Sequence, residues 1–189
     1  MPPADEPHSN HGATFMPSTA DGNAPLTRTV VVTDEAGLAP LARQLVAVLP
    51  PQAFVTLEGD LGAGKTTFVK AVAAAIGIDP YEVVSPTFGL IHVHDMLDDL
   101  LPGPHDRPKQ DTPQRLVHAD LYRLSGAGDL AEIGWEDATN GRCWVFVEWP
   151  QRAPEALPAD RLDITIEIDS ETGRTFRFTP RGDFTLATL

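Results

Sequence analysis

Hydrophobic and polar positions along the chain follow two spacings, and the first of them is typical of strands. Short apolar runs at 53–57 and 143–147 are rich in β-branched and aromatic residues, as buried strands are. Residues 161–168 alternate strictly between apolar and polar, and a second strand-like run follows at 175–178 after a Gly173 turn. This arrangement predicts a hairpin at the C-terminal end of the sheet.

The second spacing is helical. Apolar residues recur at helical intervals from Leu38 to Leu49, and Pro40 requires either a regular helix that starts near Ala39 or a kinked helix. Strands that alternate with helices and then end in a hairpin predict one three-layer α/β domain. We expect its sheet to be mixed and mostly parallel.

Residues 59–66, Gly-Asp-Leu-Gly-Ala-Gly-Lys-Thr, fit the phosphate-loop pattern G-x-x-x-x-G-K-[ST] between a strand and a helix. Glycines let successive backbone amides face one anion, and the start of the helix adds partial positive charge. Lys65 would reach the β- and γ-phosphates, and the Thr66 hydroxyl would ligate Mg²⁺. The pattern predicts a P-loop NTPase-like fold and a nucleoside triphosphate site, which the family resemblance described below assigns to ATP. Its loop residues would be Leu61, Gly62, Ala63, Gly64, Lys65, Thr66 and Thr67.

Two carboxylates end later strands. Asp120 closes the run 116–120, and Glu148 follows the run 143–147. Open α/β sheets place their sites at the carboxyl ends of strands, so Asp120 could hold Mg²⁺ through water or orient the attacking water. Glu148 suits a second Mg²⁺ ligand, although a lone acid that closes a strand is common.

Two further features leave alternatives open. Thr87 could sense the γ-phosphate and its metal, or it could belong to a Ser-Pro turn that orders two strands. His92, His94 and His118 could form a metal cluster, but no cysteine or adjacent carboxylate completes a ligand set, which favours polar strand residues.

Composition divides the chain into segments. Residues 1–26 contain five prolines, three acids and no Lys or Arg, so we expect a disordered tail before a domain at 27–189. Residues 95–114 contain four prolines and five aspartates, which indicates a loop insertion. The loop could contact a partner or be a tolerated surface insertion.

Charge and cysteine content restrict the class of protein. The 189 residues carry a net charge of −13, which argues against this chain gripping a nucleic-acid backbone without a basic partner. The single Cys143 cannot form an internal disulfide. The sequence shows no secretory signal and no apolar stretch long enough to span a membrane. We therefore expect a soluble cytoplasmic protein.

Five motifs follow one another at 59–68, 85–88, 118–124, 132–137 and 147–150. Together they resemble the TsaE family of small bacterial ATPases over residues 29 to 179, apart from the acidic loop. The resemblance implies a cytoplasmic ATPase that helps make N6-threonylcarbamoyladenosine in tRNAs reading codons that begin with A. It also implies a complex with TsaB and TsaD, in which TsaD carries out the transfer, tRNA is contacted through the complex, and ATP hydrolysis resets it.

The resemblance also assigns roles to individual residues. Lys65 would bind phosphates, Thr66 and Glu148 would hold Mg²⁺, and Asp120 would be the catalytic or metal-orienting acid. Thr87 would lie in a switch-like loop. Three further positions match residues beside the nucleotide in relatives: Glu35, Trp149 and Arg174.

Two other functions remain possible on the sequence. A small-molecule kinase would share the loop, but its candidate lid at 95–114 has one Arg and one Lys against five Asp. A nucleotide-gated binding module would bind ATP without useful turnover. For the ATPase we expect slow turnover alone, because a partner arginine contributes about 10³–10⁵ in rate in other phosphate-loop enzymes.

Overall fold

The computed structural model describes residues 14–17, 27–86, 90–96, 112–124 and 128–185, with the backbone alone for 14–17. Eight strands form one sheet in the order β1-β2-β8-β7-β3-β6-β5-β4. Their bounds are Thr14–Pro17 (β1), Arg28–Val32 (β2), Ala53–Glu58 (β3), Ile91–Asp95 (β4), Arg115–Asp120 (β5), Cys143–Glu148 (β6), Arg161–Ile168 (β7) and Arg174–Arg181 (β8).

The sheet is mixed, and its parallel part lies at the centre. Strand β3 pairs in parallel with β6 and with β7, and β5 pairs in parallel with β6. The pairs β1–β2, β2–β8, β7–β8 and β4–β5 are antiparallel, so the prediction of a mostly parallel sheet holds for the four central strands only. The predicted C-terminal hairpin is confirmed as β7–β8, which pairs Ile168 with Arg174 at its turn.

Helices pack on both faces of the sheet, as the three-layer prediction requires. The helices are Leu38–Val48 (α1), Lys65–Ala75 (α2), Gly128–Glu132 (α3) and Trp135–Thr139 (α4). Phe146 packs in one buried cluster with residues of α1 and α2. Its neighbour Val147 packs in a second cluster with Leu130 of α3 and Trp135 of α4. Because successive strand residues point to opposite faces, the two clusters lie on opposite sides of the sheet.

The first long helix begins where a proline can be accommodated. A 3₁₀ turn at Glu35–Gly37 precedes α1, which starts at Leu38, so Pro40 lies in the first helical turn. A proline there removes no intrahelical hydrogen bond, because the first four amides of a helix have no partner within it. The helix therefore starts near Ala39, as the first of the two alternatives required.

Strand β1 lies inside the segment whose composition predicts disorder. Residues 14–17 pair antiparallel with β2, the strand that the domain would otherwise leave at the edge of its sheet. The edge of β2 offers unpaired backbone groups to which another segment can pair. Composition did not predict this pairing, because it describes the segment alone and not the strand edge that the segment contacts. Most of the acidic loop predicted at 95–114 lies outside the described residues, as does the rest of the segment 1–26.

Candidate nucleotide-binding site

The glycine-rich loop connects the carboxyl end of β3 to the start of α2, as predicted. Gly62 and Gly64 have φ values of 81° and 98°, which side-chain-bearing residues rarely adopt, and a Cβ added at either position would meet no atom within 4 Å beyond its chain neighbours. The loop thus has open space in front of its backbone. The first amides of α2 have no intrahelical acceptor and carry the positive end of the helix dipole, which favours an anion.

Gly59 fixes the entrance to the loop. A Cβ at this position would come 2.5 Å from the carbonyl oxygen of Ile166 in β7, so only glycine fits. The close approach joins the loop to the β7–β8 hairpin.

Lys65 is folded back onto its own loop. Its Nζ atom donates hydrogen bonds of 2.8 and 3.0 Å to the carbonyl oxygens of Gly59 and Asp60. Burial lowers the pKa of the Lys65 ammonium, and the nearby carboxylates of Glu148, Asp120 and Asp60 oppose that shift. The residue is only 5% exposed. A buried cation surrounded by acids and carbonyls is available to exchange these partners for phosphate oxygens.

Glu148 lies beside the helix start. The Thr66 hydroxyl donates to its Oε1 atom at 2.7 Å, and the Nε2 atom of His118 lies 2.8 Å from the same oxygen. Hydroxyl and carboxylate oxygens are the donors that Mg²⁺ prefers, so the Thr66–Glu148 pair fits the predicted metal ligands. His118 was not predicted here. Its position two residues before Asp120, on the same face of β5, was the available signal.

Asp120 ends β5 next to Glu148, which ends β6, and the two residues are register partners. The Oδ2 atom of Asp120 accepts a hydrogen bond of 3.1 Å from the Ser85 hydroxyl. Its Oδ1 atom accepts one of 3.0 Å from the Tyr122 amide. The carboxylate therefore has a fixed orientation at the carboxyl ends of the parallel strands, where the sequence predicted it.

A cavity of about 230 Å³ lies on the other side of the loop. It extends between the 3₁₀ turn before α1 and the turn of the β7–β8 hairpin, and its walls include apolar Val32, Leu38 and Phe176. Six of the residues predicted to contact the nucleotide line it: Glu35, Gly62, Ala63, Gly64, Thr67 and Arg174. The structure thus brings these residues together, whereas Leu61 is 82% exposed at the tip of the loop.

Arg174 connects the hairpin to the phosphate loop. Its Nε atom donates to the Ala63 carbonyl at 3.1 Å, and a terminal nitrogen donates to the Gly62 carbonyl at 3.4 Å. The first of these contacts joins residues 111 positions apart in the chain.

Trp149 follows Glu148 in a left-handed conformation with φ 58°. Its ring centroid lies 4.1 Å from the Lys65 ammonium nitrogen and 4.8 Å from the centroid of the Tyr122 ring. Trp149 therefore lies next to Lys65, and its contact with a nucleotide, which the family resemblance implies, stays a prediction. Thr87 lies outside the described residues.

The histidine cluster is not a metal site within the described part of the chain, where no group of three or more His, Cys, Asp or Glu residues could hold an ion. Over the same ranges, none of the helices has both the length and the apolar character needed to cross a membrane.

The fold and this site define a class, an α/β protein with a glycine-rich loop between β3 and α2 and two acids on neighbouring strand ends. The model of the family "Threonylcarbamoyl adenosine biosynthesis protein TsaE" matches residues 32–176. The chain belongs to the TsaE family, as the resemblance predicted.

Individual relatives support membership of the same family. The tRNA threonylcarbamoyladenosine biosynthesis protein TsaE of Bacillus subtilis is 35% identical over 143 residues, which cover 76% of this chain and 79% of that protein. The protein of the same name from Streptomyces coelicolor is 37% identical over 135 residues, covering 71% and 80%. The crystal structure of Bacillus subtilis YdiB superposes with a TM-score of 0.61 at 28% identity, covering 83% of this chain and 87% of that one.

Proposed function

We propose that the protein is a Mg²⁺-dependent ATPase that supports formation of N6-threonylcarbamoyladenosine in tRNAs reading codons that begin with A. It would act in the cytoplasm, in a complex with TsaB and TsaD. The observation that carries the proposal is the meeting of Thr66 and Glu148 at 2.7 Å beside the buried Lys65. Family membership supports the tRNA pathway.

The oxygen ligands available at this point support Mg²⁺ as the metal. Thr66 and Glu148 supply a hydroxyl and a carboxylate oxygen at one point, and Mg²⁺ held by them would neutralise charge on the β- and γ-phosphates. The amides of the loop and of the first turn of α2 would bind phosphate oxygens. Lys65 would exchange the carbonyls of Gly59 and Asp60 for those oxygens.

The other half of the site suits a nucleoside. The cavity combines apolar walls with the Glu35 carboxylate, an acceptor for amino groups of a purine, and with the Arg174 guanidinium. Asp120, held by Ser85 and the Tyr122 amide, would orient the attacking water or accept its proton.

The contacts of Arg174 and the net charge of the chain support a need for partner proteins. Arg174 is engaged by loop carbonyls on the cavity side, so it is not placed to contact the γ-phosphate. If a partner supplies that arginine, turnover by this chain alone would be slow. A net charge of −13 argues against this chain holding tRNA alone, and a basic partner in the complex would supply that contact.

The test is phosphate release from Mg·ATP by this chain alone and then with TsaB and TsaD from its own organism. We expect slow release alone, stimulation by the partners, and loss of both in Lys65→Ala. Glu148→Ala should raise the Mg²⁺ requirement or stop turnover while circular dichroism shows an intact fold.

Three outcomes would contradict the proposal. Normal turnover in Lys65→Ala would remove the site assignment, and unchanged Mg²⁺ dependence in Glu148→Ala would remove Glu148 as a ligand. Tight ATP binding without release under any condition would favour a nucleotide-gated binding module.

A further inference from the structure

His118 is a buried group that contacts the candidate metal ligands without having been assigned a role. Its side chain is fully buried, and its Nε2 atom lies 2.8 Å from Oε1 of Glu148, whose side chain is 4% exposed. The Thr66 hydroxyl donates to that same oxygen at 2.7 Å. Among the described residues, both hydrogen bonds of the Glu148 carboxylate therefore fall on Oε1.

The chemistry of the pair determines which nitrogen of His118 carries the proton. An ionised carboxylate only accepts hydrogen bonds, so Nε2 must be the donor of this bond. Nδ1 is buried and has no hydrogen-bond partner among the described residues. The only hydrogen bond that the His118 side chain makes there is thus the one directed at Glu148, which argues against a general structural role through several polar contacts.

The paired strands β5 and β6 fix the positions of His118 and Glu148 relative to each other. His118 lies in β5 directly beside Phe146 of β6, two residues before Glu148 on that strand. The side chains of His118 and Glu148 thus extend from two neighbouring parallel strands. The terminal torsion of a glutamate has a broad energy profile, so the orientation of this carboxylate depends on its two hydrogen-bond donors, Thr66 and His118.

We infer that His118 is a positioning residue for the magnesium site. Its Nε2–H group holds the Glu148 carboxylate in one orientation, with Oε1 beside the Thr66 hydroxyl, so the two oxygen donors are preorganised together. The inference rests on the proposed function, since it concerns the same metal. Loss of a hydrogen bond to a metal-ligating group typically weakens metal binding or activity about 10- to 100-fold.

The test uses substitutions that differ in where they place a donor. In His118→Gln the amide nitrogen is three bonds from Cβ, as Nε2 is in histidine, whereas in His118→Asn it is only two bonds away. His92→Asn is the matched control, because His92 is the register partner of His118 on β4 and has no bond to Glu148.

The readout is Mn²⁺ affinity, measured by electron paramagnetic resonance in the presence of a non-hydrolysable ATP analogue. Thermal unfolding of each variant is measured alongside. We expect His118→Asn to bind Mn²⁺ at least about 10-fold more weakly, His118→Gln to stay within about threefold, and His92→Asn to match the unaltered protein.

Other results would overturn the inference while leaving the proposed function intact. Equal Mn²⁺ affinity in His118→Asn and His118→Gln, with the unaltered protein still binding, would show that the donor does not matter. Absence of Mn²⁺ binding by the unaltered protein with the analogue would instead overturn both. Should His118→Asn fail to fold, the ¹⁵N spectrum of the unaltered protein decides: a proton on Nε2 supports the inference, and an Nε2 atom without a proton overturns it.

Discussion

The ammonium nitrogen of Lys65 lies 4.1 Å from the centroid of the Trp149 ring, and it simultaneously donates to carbonyls of the loop it belongs to. Cation and ring attract each other through the ring quadrupole. A phosphate that draws Lys65 out of these contacts must therefore change the surroundings of the indole. The site thus contains its own optical reporter.

Binding of Mg·ATP should change the fluorescence of Trp149. The protein has three tryptophans, of which Trp149 lies against Lys65, whereas Trp135 belongs to the core on the α3–α4 side. We expect a saturable change in emission during an ATP titration that is lost in Trp149→Phe and kept in Trp135→Phe. A change that survives in Trp149→Phe would contradict the proposed displacement of Lys65.

Asp120→Asn should lower kcat and leave nucleotide affinity nearly unchanged. The amide keeps the shape of the carboxylate but cannot accept a proton, and general-base groups contribute about 10²- to 10⁴-fold. Ser85→Ala should cause a smaller loss, because the Tyr122 amide still holds the other carboxylate oxygen. Steady-state kinetics with the partners present would check both, and a rise in KM without loss of kcat in Asp120→Asn would assign this residue to binding instead.

Arg174→Met should weaken ATP binding by about tenfold, equivalent to about 1.4 kcal/mol. The guanidinium lines the cavity and holds two carbonyls of the phosphate loop, so its loss affects both halves of the site. Arg177→Met is the control on the same strand, since Arg177 pairs with the exposed Glu167 away from the cavity. Isothermal titration with ATP should separate the two variants, and equal affinities would contradict the role of Arg174.

Asp163→Asn should destabilise the protein by about 2 kcal/mol at pH 7, because hydrogen bonds to a charged group contribute about 1.5–3 kcal/mol. Burial raises the pKa of Asp163, but hydrogen bonds from Arg181, Thr56 and Arg161 outweigh burial and lower the pKa below its ordinary 3.8. The stabilisation is therefore complete above about pH 3.8 and is lost as the pH falls through the folded-state pKa.

Urea unfolding at pH 7 and near pH 3 would measure this change. The difference between Asp163→Asn and the unaltered protein should shrink at the lower pH, since asparagine does not titrate. Glu167→Gln is the control, because the Glu167–Arg177 pair is about half exposed and should contribute less than about 1 kcal/mol. A difference that stays constant with pH would contradict the assignment to Asp163 ionisation.

The positions of the phosphate loop and of the two acids could be predicted from short stretches of sequence. A strand, a glycine loop and a helix are consecutive in sequence, and parallel strands bring Asp120 and Glu148 to the same edge wherever the chain travels between them. The bond from His118 to Glu148 needed the register of two particular strands, which spacing alone does not provide.

The antiparallel strand pairs show a different limit of prediction from sequence. A parallel connection needs a crossover, usually a helix, and the four prolines between Asp95 and Arg115 disfavour a long helix there. These prolines could have predicted the antiparallel β4–β5 pair. The contact of Arg174 with Ala63 could not be worked out from spacing, because it joins distant parts of the chain, and only the family resemblance indicated that position.

The placement of β3 has a consequence for the protein during its synthesis. This strand leads into the phosphate loop, yet both of its neighbours in the sheet, β6 and β7, are made after it, as is Arg174. A nascent chain that has already exposed the whole loop sequence therefore still lacks both strand neighbours of β3 and the Arg174 contact with Ala63. A chain that is cut before the hairpin should therefore lack a complete form of the proposed nucleotide site.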